Sequence, residues 1–521
     1  MAPHSTSLCF SGTLCFTRLP PLPLFSSSTI SLPVSRQFTR SIRMSSSSSS
    51  MDYVPSLPDN AIVLGCGGIA VDFLATVDSY PQPDDKIRST SLKVQGGGNA
   101  ANALTCAARL GLTSRLISKV ANDSQGKGML EELEADGVDT SFLVVSKEGN
   151  SPFTYIIVDK QTKTRTCIHT PGDPPMLLAD LSQSSMLSAL DRASIVYFDV
   201  RLHETALVIA KEFMMLDFTR LSLLFFVYKN IICHTTYMFI SSCACCFYPE
   251  QAGRKKIPIL VDAEKKRDGL DDLLQFADYV VCTAKFPQAI SRIVQVWTEA
   301  SSTPGALISM LLRLPKLKFV IVTLGEEGCL MLERASKGTK LETSCHSLEI
   351  KTTCMILFPG HEHPLVLSSS AEVLQSQETD IESLLETLKH RKDSTTTFPT
   401  CVSSVTKSYS SFRTSHLYED NPTIHTFFMQ ETTKLKADGI GTVSGRLFLG
   451  TAENIPTEEL LDTTGAGDAF IGAVLYAICA GMPPEKMLPF AAQVAGCSCR
   501  ALGARTGLPH RTDPRLVPFL V

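Results

Sequence analysis

The sequence predicts an α/β fold: a doubly wound, mostly parallel sheet flanked by helices, with a small second layer of β-strands. Three observations predict it. Short apolar runs recur along the chain and are separated by helical patterns. Most of these runs are continuously apolar, as strands buried on both faces are. Several of them leave into glycine-rich turns, the arrangement found at the carboxyl edge of such sheets.

The elements follow in order. Ile62-Val63-Leu64-Gly65 is a strand with a glycine-rich exit, and Ser89 to Val94 alternates like an exposed strand. Ala100 to Leu110 is a helix of small residues, Leu116 to Val120 a strand, and Gly126 to Ala135 a helix ended by Gly137. Tyr155 to Val158 and Thr164 to His169 form a strand pair, which with the other exposed early strand builds the second layer. Ile195 to Val200, Ile257 to Asp262, Tyr279 to Cys282 and Phe319 to Thr323 supply further strands, with a helix at Glu204 to Glu212. The turn Gly65-Cys66-Gly67-Gly68 lacks the third glycine and the following helix of a dinucleotide fingerprint.

The 521 residues carry a formal net charge of -4, with 19% charged residues, which excludes nucleic-acid binding through bulk charge. Seventeen cysteines, an odd number without disulfide-like spacing, suit a reducing compartment. Residues 1–50 hold no Asp or Glu, are rich in Ser and Thr, and have Arg18, Arg36, Arg40 and Arg43 as basic groups. This is the composition of a plastid (chloroplast) transit peptide, with a plain disordered leader as the alternative. Met44 and Met51 offer starts for a cytoplasmic form.

Residues 60–509 read as one domain interrupted twice. Met214 to Pro249 is apolar and aromatic, but Lys229, Asn230 and His234 break it before the roughly 18 residues that a membrane span needs. His234 with Cys243, Cys245 and Cys246 lacks the second ligand pair of a zinc site. The segment is expected to be an insertion foreign to the fold, such as translated intron. Residues 336–438 are rich in Ser and Thr, with one helical pattern at Ile381 to His390, and are expected to be a long surface excursion.

The chemistry concentrates in Asp462-Thr463-Thr464-Gly465-Ala466-Gly467-Asp468-Ala469-Phe470, which opens an apolar helix. A helix N-terminus presents unpaired N–H groups and partial positive charge, and Gly465, Ala466 and Gly467 leave them open to an anion. Asp468 then sits beside an anion site. Its charge there suits the removal of a proton from a hydroxyl that attacks a phosphate. Small residues in front of a helix also serve close packing on a strand, which is the alternative for the glycines. Gln95-Gly96-Gly97-Gly98-Asn99-Ala100-Ala101-Asn102 lies between a strand and a helix, and its glycines and asparagines suit a polyhydroxylated ligand. Helix capping explains one of Asn99 and Asn102. Asp72 adds a carboxylate able to accept from two hydroxyls. Val320 to Gly328 is a strand ending in glycines, where nucleotides dock in parallel sheets.

With these pieces in this order the chain resembles the PfkB (ribokinase-like) family of carbohydrate kinases, and within it the ketohexokinase branch. Gly97 to Ala103 is similar to the first family signature, and Asp462 to Leu475 to the second. The likeness spans roughly 60–212, 254–333 and 445–509. It implies a ribokinase-like fold with a β-sheet lid, and ATP-dependent phosphorylation of a primary hydroxyl of a small sugar, ketose- or hexose-like. The roles implied are Asp468 as catalytic base, and Gly465, Ala466 and Gly467 as anion hole. Asp72, Gly97, Gly98, Asn99 and Asn102 would bind the sugar. Arg165 would approach the nucleotide phosphates, and Gly325, Gly328 and Gly503 would border the adenine. Magnesium is implied, with a monovalent cation (K+) beside Asp462 and a homodimer joined through the lid. Many members carry Asn-x-x-Glu where this chain reads Lys285-Phe286-Pro287-Gln288, which leaves the magnesium ligands open. Ribokinase proper has Lys where Asn99 stands and Asn where Ala70 stands, which weighs against ribose. The alternatives are a ribose or nucleoside kinase of the same family, or a kinase-like scaffold without catalysis in a plastid complex.

Overall fold

A computed structural model describes residues 61–211, 257–284, 286, 300–335, 378–397, 412–415 and 424–520. The leader expected at residues 1–50 and the insertion expected at 214–249 lie outside them.

The first half of the chain runs β1 (Ile62–Cys66), β2 (Ala70–Val77), β3 (Ser91–Gly97), α1 (Asn99–Arg109), β4 (Thr113–Ala121) and α2 (Ser124–Ala135). It continues through β5 (Val138–Asp139), β6 (Leu143–Ser146), β7 (Phe153–Asp159), β8 (Arg165–Thr170), α3 (Gln183–Leu190), β9 (Ala193–Phe198) and a helix α4 over 203–211. Beyond it come β10 (Ile259–Ala263), α5 (Leu270–Leu274), β11 (Tyr279–Thr283), α6 (Thr303–Arg313), β12 (Phe319–Thr323) and β13 (Cys329–Arg334). The rest is β14 (Glu378–Asp380), α7 (Ile381–Thr397), β15 (Phe412–Ser415), β16 (Thr426–Met429), β17 (Thr433–Ala437), β18 (Gly441–Gly450), α8 (Ala466–Cys479), α9 (Pro484–Ser498) and α10 (Val517–Leu520).

The central sheet has the order β14-β17-β18-β13-β12-β11-β10-β9-β1-β4-β5. From β4 through β1, β9, β10 and β11 to β12 every pairing is parallel; β12–β13 and β13–β18 are antiparallel. Alternation along each strand feeds two cores. In β9, Ile195 and Tyr197 join the core under α1, α8 and α9, while Val196 and Phe198 join the core under α3 to α7. Burial on both faces explains why these strands read as unbroken apolar runs.

The second sheet has the order β3-β2-β7-β8. Cross-strand register puts Asp72 beside Gln95 and Thr154, and Thr154 beside His169, on the face turned toward the main body. The opposite face carries Phe73, Val94, Tyr155 and Ile168 in one row, of which Val94, Tyr155 and Ile168 are exposed.

The surface excursion expected over 336–438 is corrected where that segment is described. Residues 378–397 and 424–437 belong to the main sheet and its helical cover. Ile381, Leu384, Leu385 and Leu388 are buried on one face of α7, and Phe427, Phe428 and Leu435 are buried in β16 and β17. Their apolar spacing drives this packing, and the Ser/Thr-rich surroundings conceal it.

Candidate active site

Helix α8 begins at Ala466 behind Gly465, whose φ of 76° is left-handed. A side chain at Gly465 would meet the backbone of Ala504, so both conformation and space require glycine there. The turn places Asp468 in the first helical turn, at the edge of a cavity of about 570 Å³. The cavity opens at the carboxyl edge of the sheet, with Asp262 near the end of β10, Glu264 just after it, Thr283 at the end of β11 and Thr323 at the end of β12. The inner face of the four-stranded sheet covers it through Asp72, Thr154, Arg165, Cys167 and His169.

Asp468 and Asn102 meet directly: the Asn102 amide Nδ2 donates to Asp468 Oδ2 at 2.9 Å. Burial raises the Asp468 carboxyl to about 7; the Asn102 hydrogen bond and Arg165 pull it down, while Glu264 and Asp199 push it up. A base tuned near neutrality is suited to taking a proton from an alcohol. Asp72, 4% exposed, is raised to about 6, first by burial, against the opposing charge of Arg505 and the Thr154 hydroxyl.

Of the residues expected to bind sugar, Asp72, Gly98, Asn99 and Asn102 line the cavity, and Gly97 does not. A Cβ at Gly97 would strike the Asp72 carboxylate, and one at Gly96 the Arg505 guanidinium. These two glycines make room for protein side chains, and only Gly98, with φ of 91°, faces the cavity. Of the expected anion hole, Gly465 and Gly467 line the cavity, whereas Ala466 donates its N–H to the Thr463 carbonyl at 3.3 Å. Arg165 reaches down from β8, and its Nη1 donates to Thr463 Oγ1 at 2.8 Å.

The three glycines expected to border the adenine lie outside this cavity. Gly325 and Gly328 bracket a short 3-10 turn between β12 and β13, and a Cβ at Gly328 would meet the Gly450 carbonyl. Gly503 donates its N–H to Asp462 Oδ2 at 2.8 Å, and none of the three glycines lines the cavity. Asp462, 1% exposed, also accepts from the Thr464 N–H at 2.9 Å and the Thr464 hydroxyl at 2.7 Å. With three protein donors on it, this carboxylate clamps the loop before α8. Among the described residues no group of three or more His, Cys, Asp or Glu is arranged to hold a metal ion. Asp262 and Glu264 are nonetheless oxygen donors on the cavity wall, of the type magnesium takes in ones and twos beside substrate phosphates.

Three features escaped the sequence. Asp199, at the end of β9, is buried and accepts from the N–H groups of Gly68 at 2.7 Å, Ala100 at 3.0 Å and Arg201 at 2.9 Å. It thereby ties the β1 exit to the start of α1. The following Val200 has a φ of 62°, a strained position for a β-branched residue that costs about 1–3 kcal/mol. That turn aims Arg201 at Asn99 Oδ1 (3.4 Å) and Glu264 Oε2 (3.3 Å). Arg505 is the third and is taken up below. The signal for Asp199 and Arg201 was their place at the end of the apolar run Ile195 to Val200.

The profile of the pfkB family carbohydrate kinase matches residues 63–213 and 438–511, which carry Asp72, Asn99, Asn102, Arg165 and Asp468. Ribokinase of Bacillus subtilis is 26% identical over 126 residues, 24% of this chain and 41% of that protein. Ketohexokinase of Mus musculus is 29% identical over 106 residues, 20% of this chain and 36% of that protein. The chain thus spans less than half the length of these relatives. The structure of Arabidopsis thaliana ribokinase complexed with ribose and ATP aligns with a TM-score of 0.48 at 15% identity, covering 89% of this chain and 99% of that one.

Proposed function

We propose that this pfkB-family chain transfers the terminal phosphoryl group of ATP to a primary hydroxyl of a small sugar. One observation carries the reading: Asp468, tuned to about 7, faces the same cavity as Asp72, Asn99 and Asn102. A proton acceptor, an open helix N-terminus and a set of hydroxyl-binding groups then lie around one space.

Asp72, Asn99 and Asn102 hold the sugar hydroxyls, and Asp468 takes the proton of the attacking one. The first turn of α8 at Gly465 and Gly467 receives the phosphoryl oxygens, joined by Arg165 from the lid. Positioning and electrostatic stabilisation supply most of the acceleration in such a transfer. Magnesium, held by Asp262 and Glu264, would neutralise charge on the phosphate oxygens. The family likeness supports a monovalent cation beside Asp462, whose carboxylate holds the loop that opens α8.

The reading is tested by an ATP-consumption screen over ketoses, hexoses, ribose and nucleosides. Turnover with a ketose or hexose supports it. Preference for ribose or a nucleoside, the substrates named for several relatives, moves the assignment within the family. Folded protein with no turnover on any of them favours the scaffold reading. The exposed row Val94, Tyr155 and Ile168 supports a homodimer joined lid to lid. The composition of residues 1–50 supports plastid import.

A further inference from the structure

Arg505 is the largest fully buried side chain among the described residues, 2% exposed, and lies in no expected site. Burying a guanidinium costs several kcal/mol unless its donors are used. Its Nε donates to Asn102 Oδ1 at 2.9 Å and its Nη2 to the Gly97 carbonyl at 3.0 Å. Its Nη1 faces Glu132 Oε1 at 3.5 Å, and Glu132 also accepts from the Gly96 N–H at 2.7 Å. One arm of this network ends at the catalytic carboxylate.

An asparagine amide has two orientations of nearly equal shape and opposite polarity. A guanidinium is donor-only, so Asn102 can meet Arg505 only through Oδ1. Its Nδ2 is then forced toward Asp468. Flipped, the amide would set a carbonyl against a carboxylate and an N–H against a guanidinium. Resting on the kinase reading above, we infer that Arg505 is a positioning residue, which fixes the Asn102 amide so that Asp468 keeps a hydrogen-bond donor throughout the reaction. Burial lowers the Arg505 guanidinium from its ordinary value, but arginine remains protonated in proteins, so the orientation survives when Asp468 takes up the substrate proton. The other titratable groups that interact with Asp468 are Glu264, Asp199, Asp262, Tyr197, Arg165 and Cys106, and the described hydrogen bonds give none of these the donor role of Asn102, the Cys106 thiol donating to the Ala469 carbonyl. Gly96 follows from the same arrangement, since a Cβ there would displace the guanidinium.

The test has two arms. In 15N-labelled full-length protein, the side-chain amide signal of Asn102 is identified by its loss in Asn102→Ala. It is expected to move in both Arg505→Met and Asp468→Asn; an unmoved signal in Arg505→Met overturns the inference. In the kinetic arm, Arg505→Met is expected to lower kcat about tenfold with a smaller change in sugar KM, and to cause no further loss in an Asn102→Ala background. Multiplying losses overturn it. Arg505→Gln, which keeps a neutral donor, is expected to recover part of kcat and carries both readouts should Arg505→Met not fold. A wild type without turnover refutes the kinase reading, while the amide signal still decides the positioning of Asn102.

Discussion

Arg165 Nη1 donates to Thr463 Oγ1 at 2.8 Å, which joins the lid strand β8 to the loop that opens α8. The lid thereby brings a cation to the place where the phosphate is expected. Arg165→Ala should raise the KM for ATP about tenfold and leave sugar affinity nearly unchanged, the cost of one charge-assisted contact. Initial-rate kinetics over both substrates checks this. Arg165→Lys should recover only part, because Lys cannot reproduce the planar fork.

Asp72 is buried beside Thr154 on the inner face of the lid and is expected to accept from sugar hydroxyls. Asp72→Ala should weaken sugar binding by about 10- to 100-fold, as loss of hydrogen bonds to a charged group does. Calorimetric titration with the sugar found by the screen measures it. An unchanged affinity would remove Asp72 from the binding site.

The raised carboxyls make stability depend on pH in a defined direction. Asp468 rises to about 7 and Asp72 to about 6, from an ordinary value of 3.8. Between about pH 4 and 7 the folded protein therefore holds protons that the unfolded chain has released, so stability falls as pH rises through that window. Thermal unfolding at pH 5 and pH 8 should show a larger loss of Tm for wild type than for Asp468→Asn or Asp72→Asn. Equal losses would contradict the raised values.

The outer lid face gives a prediction of association. Val94 and Tyr155 occupy one exposed row with Ile168. Wild type should sediment as a dimer, and Val94→Lys with Tyr155→Glu as a monomer. A monomeric wild type at tens of micromolar, a concentration at which a dissociation constant of about 1 μM leaves mostly dimer, would remove the lid as an interface.

The parts of this site that were legible in the sequence are those built from neighbours in the chain. Asp468 and its glycine turn form one local motif, and the βα alternation announces the sheet. The bond between Asn102 and Asp468 joins residues 366 positions apart, and no local pattern encodes such a contact. Several glycines likewise answer to side chains far away in the chain. Gly96 and Gly97 resembled a ligand-facing loop, yet they are small because Arg505 and Asp72 fill the space beside them. Gly503 serves Asp462, and Gly325 and Gly328 shape a turn. The helical pattern at Ile381 to His390 was legible, but the Ser/Thr-rich composition of 336–438 concealed that α7 packs on the main sheet through Ile381, Leu384, Leu385 and Leu388.

The account rests on Asp468 as the proton acceptor, and Asp468→Asn tests it most directly. The amide can still accept a hydrogen bond but cannot take the proton. ATP-dependent phosphorylation by this variant should fall about 10²- to 10⁴-fold, the usual contribution of a general base, while calorimetry shows sugar binding within about threefold of wild type. Turnover within tenfold of wild type at unchanged sugar affinity would contradict it.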